Sequence, residues 1–183
     1  QRQMCIRDSS YSFFATYASV DGYDPYKNKV NYVDFSIMDK WIISKLNVFI
    51  RDCNSGLEQF RSDIMMRKFD LFLDDLSNWY IRRSRRRFWK SEDDLDKQTA
   101  YQVLYECLTT LIKLISPVLP FVTEEIYQNL VKNIDSDEHE SIHLCDYPSS
   151  DLKKIDIELM KNIDSLRRVV ELGRSARNKA KIK

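Results

Sequence analysis

Arginines are concentrated in one short stretch of this chain, between two pairs of aromatic residues. Five of the six residues at 82–87 are arginines, and Trp79, Tyr80, Phe88 and Trp89 flank them. A guanidinium group can bind a phosphate through two hydrogen bonds, and an aromatic ring can stack on an exposed base. The stretch therefore predicts the end of a helix that contacts RNA.

Helical spacing divides the arginines of this stretch between faces. Arg82, Arg83 and Arg86 are expected to share one face with the preceding tryptophan, which would hold the helix in the core. Arg85 is expected to point elsewhere, and Arg87 to lie between the faces. The predicted RNA-binding residues are Arg82, Arg83, Arg85, Arg86, Arg87, Trp89 and Lys90.

The same stretch has alternative interpretations that need no nucleic acid. Cations near the C-terminus of a helix are favoured by the helix dipole, and a solvated basic turn is common. Trp89 would then cap the hydrophobic core instead of stacking on a base. A further alternative is a helical interaction module whose arginines bind an acidic protein.

Composition limits the possible classes of protein. The net charge of the 183 residues is +1, so any affinity for a polyanion must come from a local patch. The hydrophobic fraction of 43% predicts a folded core, and the four cysteines form no CxxC pair, which indicates reduced structural residues rather than a zinc site. No apolar run approaches the ~18 residues of a membrane span. We expect a cytoplasmic monomer without catalytic residues or a metal site.

Hydrophobic periodicity predicts an all-α fold. Four amphipathic helices with short connections predict an antiparallel bundle. Ser36 and Asp39 have the spacing of a capping box, and Pro120 suits the first turn of the fourth helix, where Phe121 begins the predicted apolar face. The four helices are expected at about 36–60, 63–89, 91–115 and 120–133.

The chain is expected to have four parts. Residues 1–10 show no clear period and are interpreted as a non-native leader, 11–35 as a connector, and 36–148 as the bundle. Residues 149–183 would begin a further, truncated C-terminal helical region. The segment 141–148 is predicted to be short and extended. The last helix is predicted to begin near Asp151.

Residues 78–89 resemble the anticodon-binding region of isoleucyl-tRNA synthetases, in particular their eukaryote-like branch. Other stretches agree in order and spacing. The segment 11–25 resembles the connection from the catalytic core, and 140–148 resembles the strand-like segment after the bundle. The segment 115–127 resembles the prolyl corner that class I synthetases for large aliphatic amino acids share. That corner also fits valyl and leucyl enzymes, whereas the arginine stretch favours the isoleucyl family.

The resemblance implies a function that composition and hydrophobic periodicity alone do not indicate. The family attaches isoleucine to its tRNA using ATP and magnesium, but its HIGH and KMSKS motifs and its editing domain are absent from this sequence. The resemblance therefore implies a C-terminal fragment that binds the anticodon stem-loop, catalyses nothing and has no cofactor of its own. Its implied partners are isoleucine tRNA and the catalytic domain of the same polypeptide.

Overall fold

The computed structural model describes residues 2–27, 29–89, 95–135 and 137–181, with side chains described from Ser10 onward. The described residues form helices and connecting loops and contain no β-strand, which confirms the all-α fold. Their α-helices are α1 (Arg2–Asp21), α2 (Ile37–Glu58), α3 (Ser62–Asp74), α4 (Arg82–Trp89), α5 (Leu95–Ile115), α6 (Pro120–Tyr127) and α7 (Ile157–Lys179).

Two helix starts follow from local sequence as predicted. The backbone N–H of Asp39 donates to the hydroxyl of Ser36 over 3.2 Å, and the backbone N–H of Ser36 donates to the carboxylate of Asp39 over 3.1 Å. This reciprocal pair is the predicted capping box at the start of α2. Helix α6 begins at Pro120, where a missing N–H leaves no hydrogen bond unmade.

The predicted second helix is continuous but changes its winding. A π-helical segment, Asp75–Ile81, joins α3 directly to α4, and a second π-helical segment, Gln128–Lys132, extends α6. A π turn contains more residues than an α turn, so it changes the angular position of the residues that follow. The direction in which α4 presents its arginines therefore depends on this segment.

The core contains buried residues from α2, α3, the π-helical segment before α4, α5 and α6. The predicted stripe of the third helix is confirmed, because Leu104, Leu108 and Leu111 of α5 are buried. The prediction for Phe121 is wrong, since its side chain is 90% exposed. Phe121 precedes the buried Thr123 by two residues, which places it about 200° away around the helix.

The segment after the bundle differs from its prediction in two respects. Residues Ile142–Leu144 form a 3₁₀ turn, so the expected extended segment is wrong at its centre. This turn buries the side chain of Ile142, whose backbone N–H donates to Glu124 over 3.0 Å. The last helix begins at Ile157, because Asp151 caps a separate 3₁₀ turn and Asp156 caps α7.

The N-terminal segment contacts α5 through aromatic rings, since Tyr23 stacks on Tyr101 with ring centroids 4.8 Å apart. Helix α1 ends at Asp21, and Gly22 follows with a φ of 62°. This left-handed residue allows the N–H of Tyr23 to bond the carbonyl of Ala18, which closes the helix. That residues 1–10 are a leader and 11–35 a connector stays a prediction.

Candidate nucleic-acid interface

Helix α4 packs one side against α5. Its inner side carries Ser84 and Phe88, which are both buried. The ring centroid of Phe88 lies 4.9 Å from that of Tyr101 and 5.1 Å from that of Phe13. These edge-on ring contacts pack the inner side of the eight-residue helix against the core.

Four arginines of α4 are exposed: Arg82, Arg83, Arg85 and Arg86. None of their guanidinium groups forms an ion pair with a residue that the structure describes. By contrast, Arg61 and Arg67 near the start of α3 both pair with Asp63. The outer surface of α4 therefore presents positive charge that no described carboxylate neutralises.

The rotation of α4 gives its exposed residues different directions. At about 100° per residue, Arg82, Arg86 and Trp89 lie opposite the buried Ser84. Arg83 and Arg85 lie on the two flanks of this outer face. The five exposed side chains form one surface, which we call the arginine surface.

Trp79 lies beneath one edge of the arginine surface, between two guanidinium groups. Its ring centroid is 3.8 Å from Cζ of Arg83 and 5.1 Å from Cζ of Arg167 on α7. Both arrangements are within cation–π range. Trp79 is 7% exposed, which confirms the prediction that it is buried. Arg83 thus covers the tryptophan with which it was predicted to share a face.

Trp89 presents an open aromatic surface at the end of α4. Its indole N–H donates to the hydroxyl of Tyr17 over 2.7 Å, and 58% of the residue is exposed. The hydrogen bond holds one edge of the ring, whereas most of the remaining surface meets solvent. Trp89 is therefore more open than a core cap would be. Lys90, also predicted as an RNA contact, lies outside the described residues.

Arg87 has a different environment from the other arginines. Its Nη1 and Nη2 donate to the two carboxylate oxygens of Asp39 over 2.7 and 2.9 Å, and its Nε lies 2.9 Å from a carboxylate oxygen of Asp96. Asp39 is fully buried and also accepts a hydrogen bond of 2.6 Å from the hydroxyl of Tyr80. The prediction placed Arg87 between the faces of the helix as an RNA contact. In the structure, its guanidinium group binds Asp39 inside the bundle instead.

The charges of this internal pair are mutually stabilising. Burial by itself would raise the pKa of Asp39, but hydrogen bonds from Arg87, Ser36 and Tyr80 outweigh it and lower the pKa below its usual value. Burial would likewise lower the pKa of Arg87, but Asp39 raises it above its usual value. Sequence reasoning assigned Asp39 only to the capping box. The seven-residue spacing of Tyr80 and Arg87 was the one local signal of their shared face.

Other potentially reactive groups in the described residues are not arranged for catalysis or metal binding. Cys53 and Cys107 are free and buried, and burial raises the pKa of the Cys53 thiol to about 12, which keeps it protonated. In residues 2–27, 29–89, 95–135 and 137–181, no group of three His, Cys, Asp or Glu side chains could hold a metal ion. No helix in these ranges is long and apolar enough to cross a membrane.

A helical bundle whose arginine surface has no carboxylate partner among the described residues has the layout of a module that binds polyanions. Residues 39–183 match the family described as "Anticodon-binding domain of tRNA ligase", and the chain belongs to this family. The resemblance seen at residues 78–89 is thereby confirmed at the level of the family.

Three relatives of this chain are isoleucine–tRNA ligases. The chain is 47% identical to the isoleucine–tRNA ligase of Clostridium novyi and 48% identical to that of Dehalococcoides mccartyi strain CBDB1, each over 173 residues. It is 45% identical to the isoleucine–tRNA ligase of Clostridium tetani. Each alignment covers 94% of this chain and 17% of the relative, so the chain spans about 17% of the length of the curated relatives it matches.

Proposed function

We propose that this chain binds the anticodon stem-loop of isoleucine tRNA, as the RNA-binding part of an isoleucine–tRNA ligase. The observation that carries the proposal is the arginine surface of α4, whose guanidinium groups have no carboxylate partner among the described residues. Membership of the anticodon-binding family and the name of the relatives supply the class of RNA.

The arginine surface is suited to the backbone of the RNA. Arg82 and Arg86 face outward and can each bind a phosphate through two hydrogen bonds. Such contacts set position and give strong dependence on salt, but they carry no base identity. Arg83 and Arg85 extend the positive surface on the two flanks, and Lys90 would add a cation after them. Arg87 supports the surface from inside.

Trp89 is suited to an unpaired base. Anticodon-loop bases can unstack from their neighbours and place a face against an aromatic ring. The hydrogen bond from Trp89 to Tyr17 holds the indole before RNA arrives. Less side-chain freedom is then lost on binding.

The proposed role needs no reaction chemistry in this chain. Attachment of isoleucine, with the ATP and magnesium that it uses, would belong to the other parts of the longer ligase. This chain would act with that catalytic domain in the cytoplasm, as part of a monomer. Its contribution would be selection and orientation of the tRNA.

The test is binding of the 183-residue chain to isoleucine tRNA at two salt concentrations. The triple variant Arg82→Glu, Arg83→Glu and Arg86→Glu is expected to lose at least about tenfold in affinity near 0.1 M salt, because phosphate contacts are lost. The matched control is Arg168→Glu, Arg174→Glu and Arg177→Glu on α7, which changes the net charge equally. Unchanged binding by the α4 variant would contradict the role of the arginine surface.

Competing tRNAs decide which family member the chain represents. An isoleucine tRNA with a mutated anticodon and a valine tRNA are expected to compete poorly. Preference for valine or leucine tRNA would favour the corresponding enzyme. Equal competition by all of them would mean that α4 only positions phosphates. Tighter binding to acidic proteins than to any tRNA would favour the interaction module.

A further inference from the structure

The carboxylate of Asp39 is the most heavily hydrogen-bonded acid near the arginine surface. It accepts from the backbone and hydroxyl of Ser36 over 3.1 and 2.6 Å, from Tyr80 over 2.6 Å and twice from Arg87. The residue is fully buried. One side chain therefore joins the first turn of α2, the π-helical segment and α4.

Helix α4 has few buried residues that fix its arrangement. It is only eight residues long, five of them are arginines, and it begins directly after a π-helical segment. Repulsion between its exposed guanidinium groups opposes a single fixed arrangement. Among its eight residues, only Ser84 and Phe88 are buried. The ion pair of Arg87 with Asp39 adds a third internal contact and supplies an opposite charge from inside.

The rotation of α4 decides which residues RNA can reach. Arg87 differs from Arg86 by one residue, or about 100° around the helix. If Arg87 left Asp39, the helix could turn and carry Arg82, Arg86 and Trp89 away from their common outward direction. A bidentate guanidinium–carboxylate pair limits this rotation because both hydrogen bonds require the two planes to stay aligned.

We propose that Asp39 is a positioning residue for RNA binding: by holding Arg87, it sets the rotation of α4 and directs Arg82, Arg86 and Trp89 toward the RNA. This inference rests on the proposed function. Asp39 itself touches no RNA. Arg87 acts as the internal anchor of the arginine surface.

The direction in which Asp39→Asn changes RNA affinity separates the positioning role from simple electrostatics. Asp39→Asn removes a negative charge near a surface that binds a polyanion, so Coulomb's law alone predicts tighter RNA binding. Release of Arg87 as an additional phosphate contact would also predict tighter binding. The positioning role predicts weaker binding.

The experiment compares variants of the 183-residue chain for affinity to isoleucine tRNA, each measured well below its melting temperature. Asp39→Asn and Arg87→Gln are each expected to weaken binding by about fivefold to tenfold. The double variant should lose less than the sum of the two single losses, because both substitutions remove the pair of Arg87 with Asp39. The control Asp63→Asn removes one negative charge at the far end of α3 and should leave binding unchanged or slightly tighter.

The conservative variant Arg87→Lys keeps the charge but loses the planar fork. It should restore part of the affinity that Arg87→Gln loses. If Asp39→Asn prevents folding, Tyr80→Phe removes one hydrogen bond to Asp39 with no change in charge and should weaken binding by about twofold to threefold. Tighter or unchanged binding by both Asp39→Asn and Tyr80→Phe would overturn the proposal, as would additive losses in the double variant.

Hydrogen exchange without RNA separates this proposal from the proposed function. In Asp39→Asn, the amides of Arg82–Trp89 should exchange at least about tenfold faster, while those of Leu104–Leu111 in α5 keep their rates. Equal acceleration in both segments, or in neither, would contradict positioning. If the unsubstituted chain binds no tRNA, the proposed function fails, whereas the exchange result still decides whether Asp39 holds α4.

Discussion

Helices α4 and α7 both carry basic residues, but they are attached to the bundle in different ways. The inner side of α4 has two buried residues, Ser84 and Phe88, together with the internal pair of Arg87 and Asp39. No described residue of α7 is fully buried. Its apolar contacts with the core are partial and come from Leu159, Met160, Ile163 and Val170.

Besides these partial apolar contacts, ion pairs attach α7 to the bundle. Arg167 pairs with Asp75 and, over 3.2 Å, with Asp74. Lys45 of α2 lies 3.3 Å from Asp164. The pairs made by the half-exposed Asp74 and Asp164 contribute little individually, whereas the pair of Arg167 with Asp75 is largely buried. The comparison shows that a basic segment obtains a fixed direction when buried groups hold the helix beneath it, as they do in α4.

The largest expected difference concerns the buried ring of α4. Phe88→Ala should lower the free energy of unfolding by about 3–5 kcal/mol, because it removes a ring packed against two others. Leu166→Ala on α7 should change it by no more than about 0.5 kcal/mol, since Leu166 is 50% exposed. Urea denaturation measures both. Equal losses would show that α7 is attached as firmly as α4.

A smaller effect is expected at the ion pair of α7. Arg167→Gln should lower the free energy of unfolding by about 1.5–3 kcal/mol, because Asp75 is largely buried and loses a charged hydrogen-bond donor. Amides of α7 should exchange faster in this variant. The neighbouring exposed residue provides the control, Arg168→Gln, with an expected change within about 0.5 kcal/mol. Equal losses of unfolding free energy in the two variants would show that the ion pair does not hold α7.

The smallest effect is a change in the acid dependence of stability. The folded pKa of Asp39 lies below its usual value of 3.8, so its pair with Arg87 adds stability above that pH. The contribution is lost as pH falls through the folded pKa. The difference in unfolding free energy between the unsubstituted chain and Asp39→Asn should therefore be largest near neutral pH and shrink below about pH 4. If this difference in unfolding free energy stayed constant down to pH 2, the pair of Asp39 with Arg87 would not be the source of the lost stability.

Local signals in the sequence were sufficient for most of the helices. The capping box at Ser36 and the proline at the start of α6 were confirmed because each depends on residues within one turn. The apolar stripe of α5 was confirmed because burial follows the helical period. Phe121 was predicted incorrectly, since apolar character alone does not show which side of a short helix faces the core.

The start of α7 required information from elsewhere in the chain. The sequence predicted a start near Asp151, but Asp156 is an equally acceptable N-cap. In the structure, the N–H of Asp151 donates to the side chain of Asn47 over 2.8 Å, and that of Asp156 to the hydroxyl of Ser44 over 2.8 Å. Helix α2 holds both residues, so the intervening segment forms a short turn before α7 begins.

The sequence by itself determined the helical class, the main helix positions and the location of the charge, since these depend on neighbours within a few residues. It also contained the motif by which the family is recognised. Only the tertiary structure decided which arginines of α4 are available. Arg87 and Asp39 are 48 residues apart in the chain, and a partner at that separation is known only once the helices are packed. Burial and ion pairing depend on such distant contacts, and they separate the internal anchor from the arginines that face solvent.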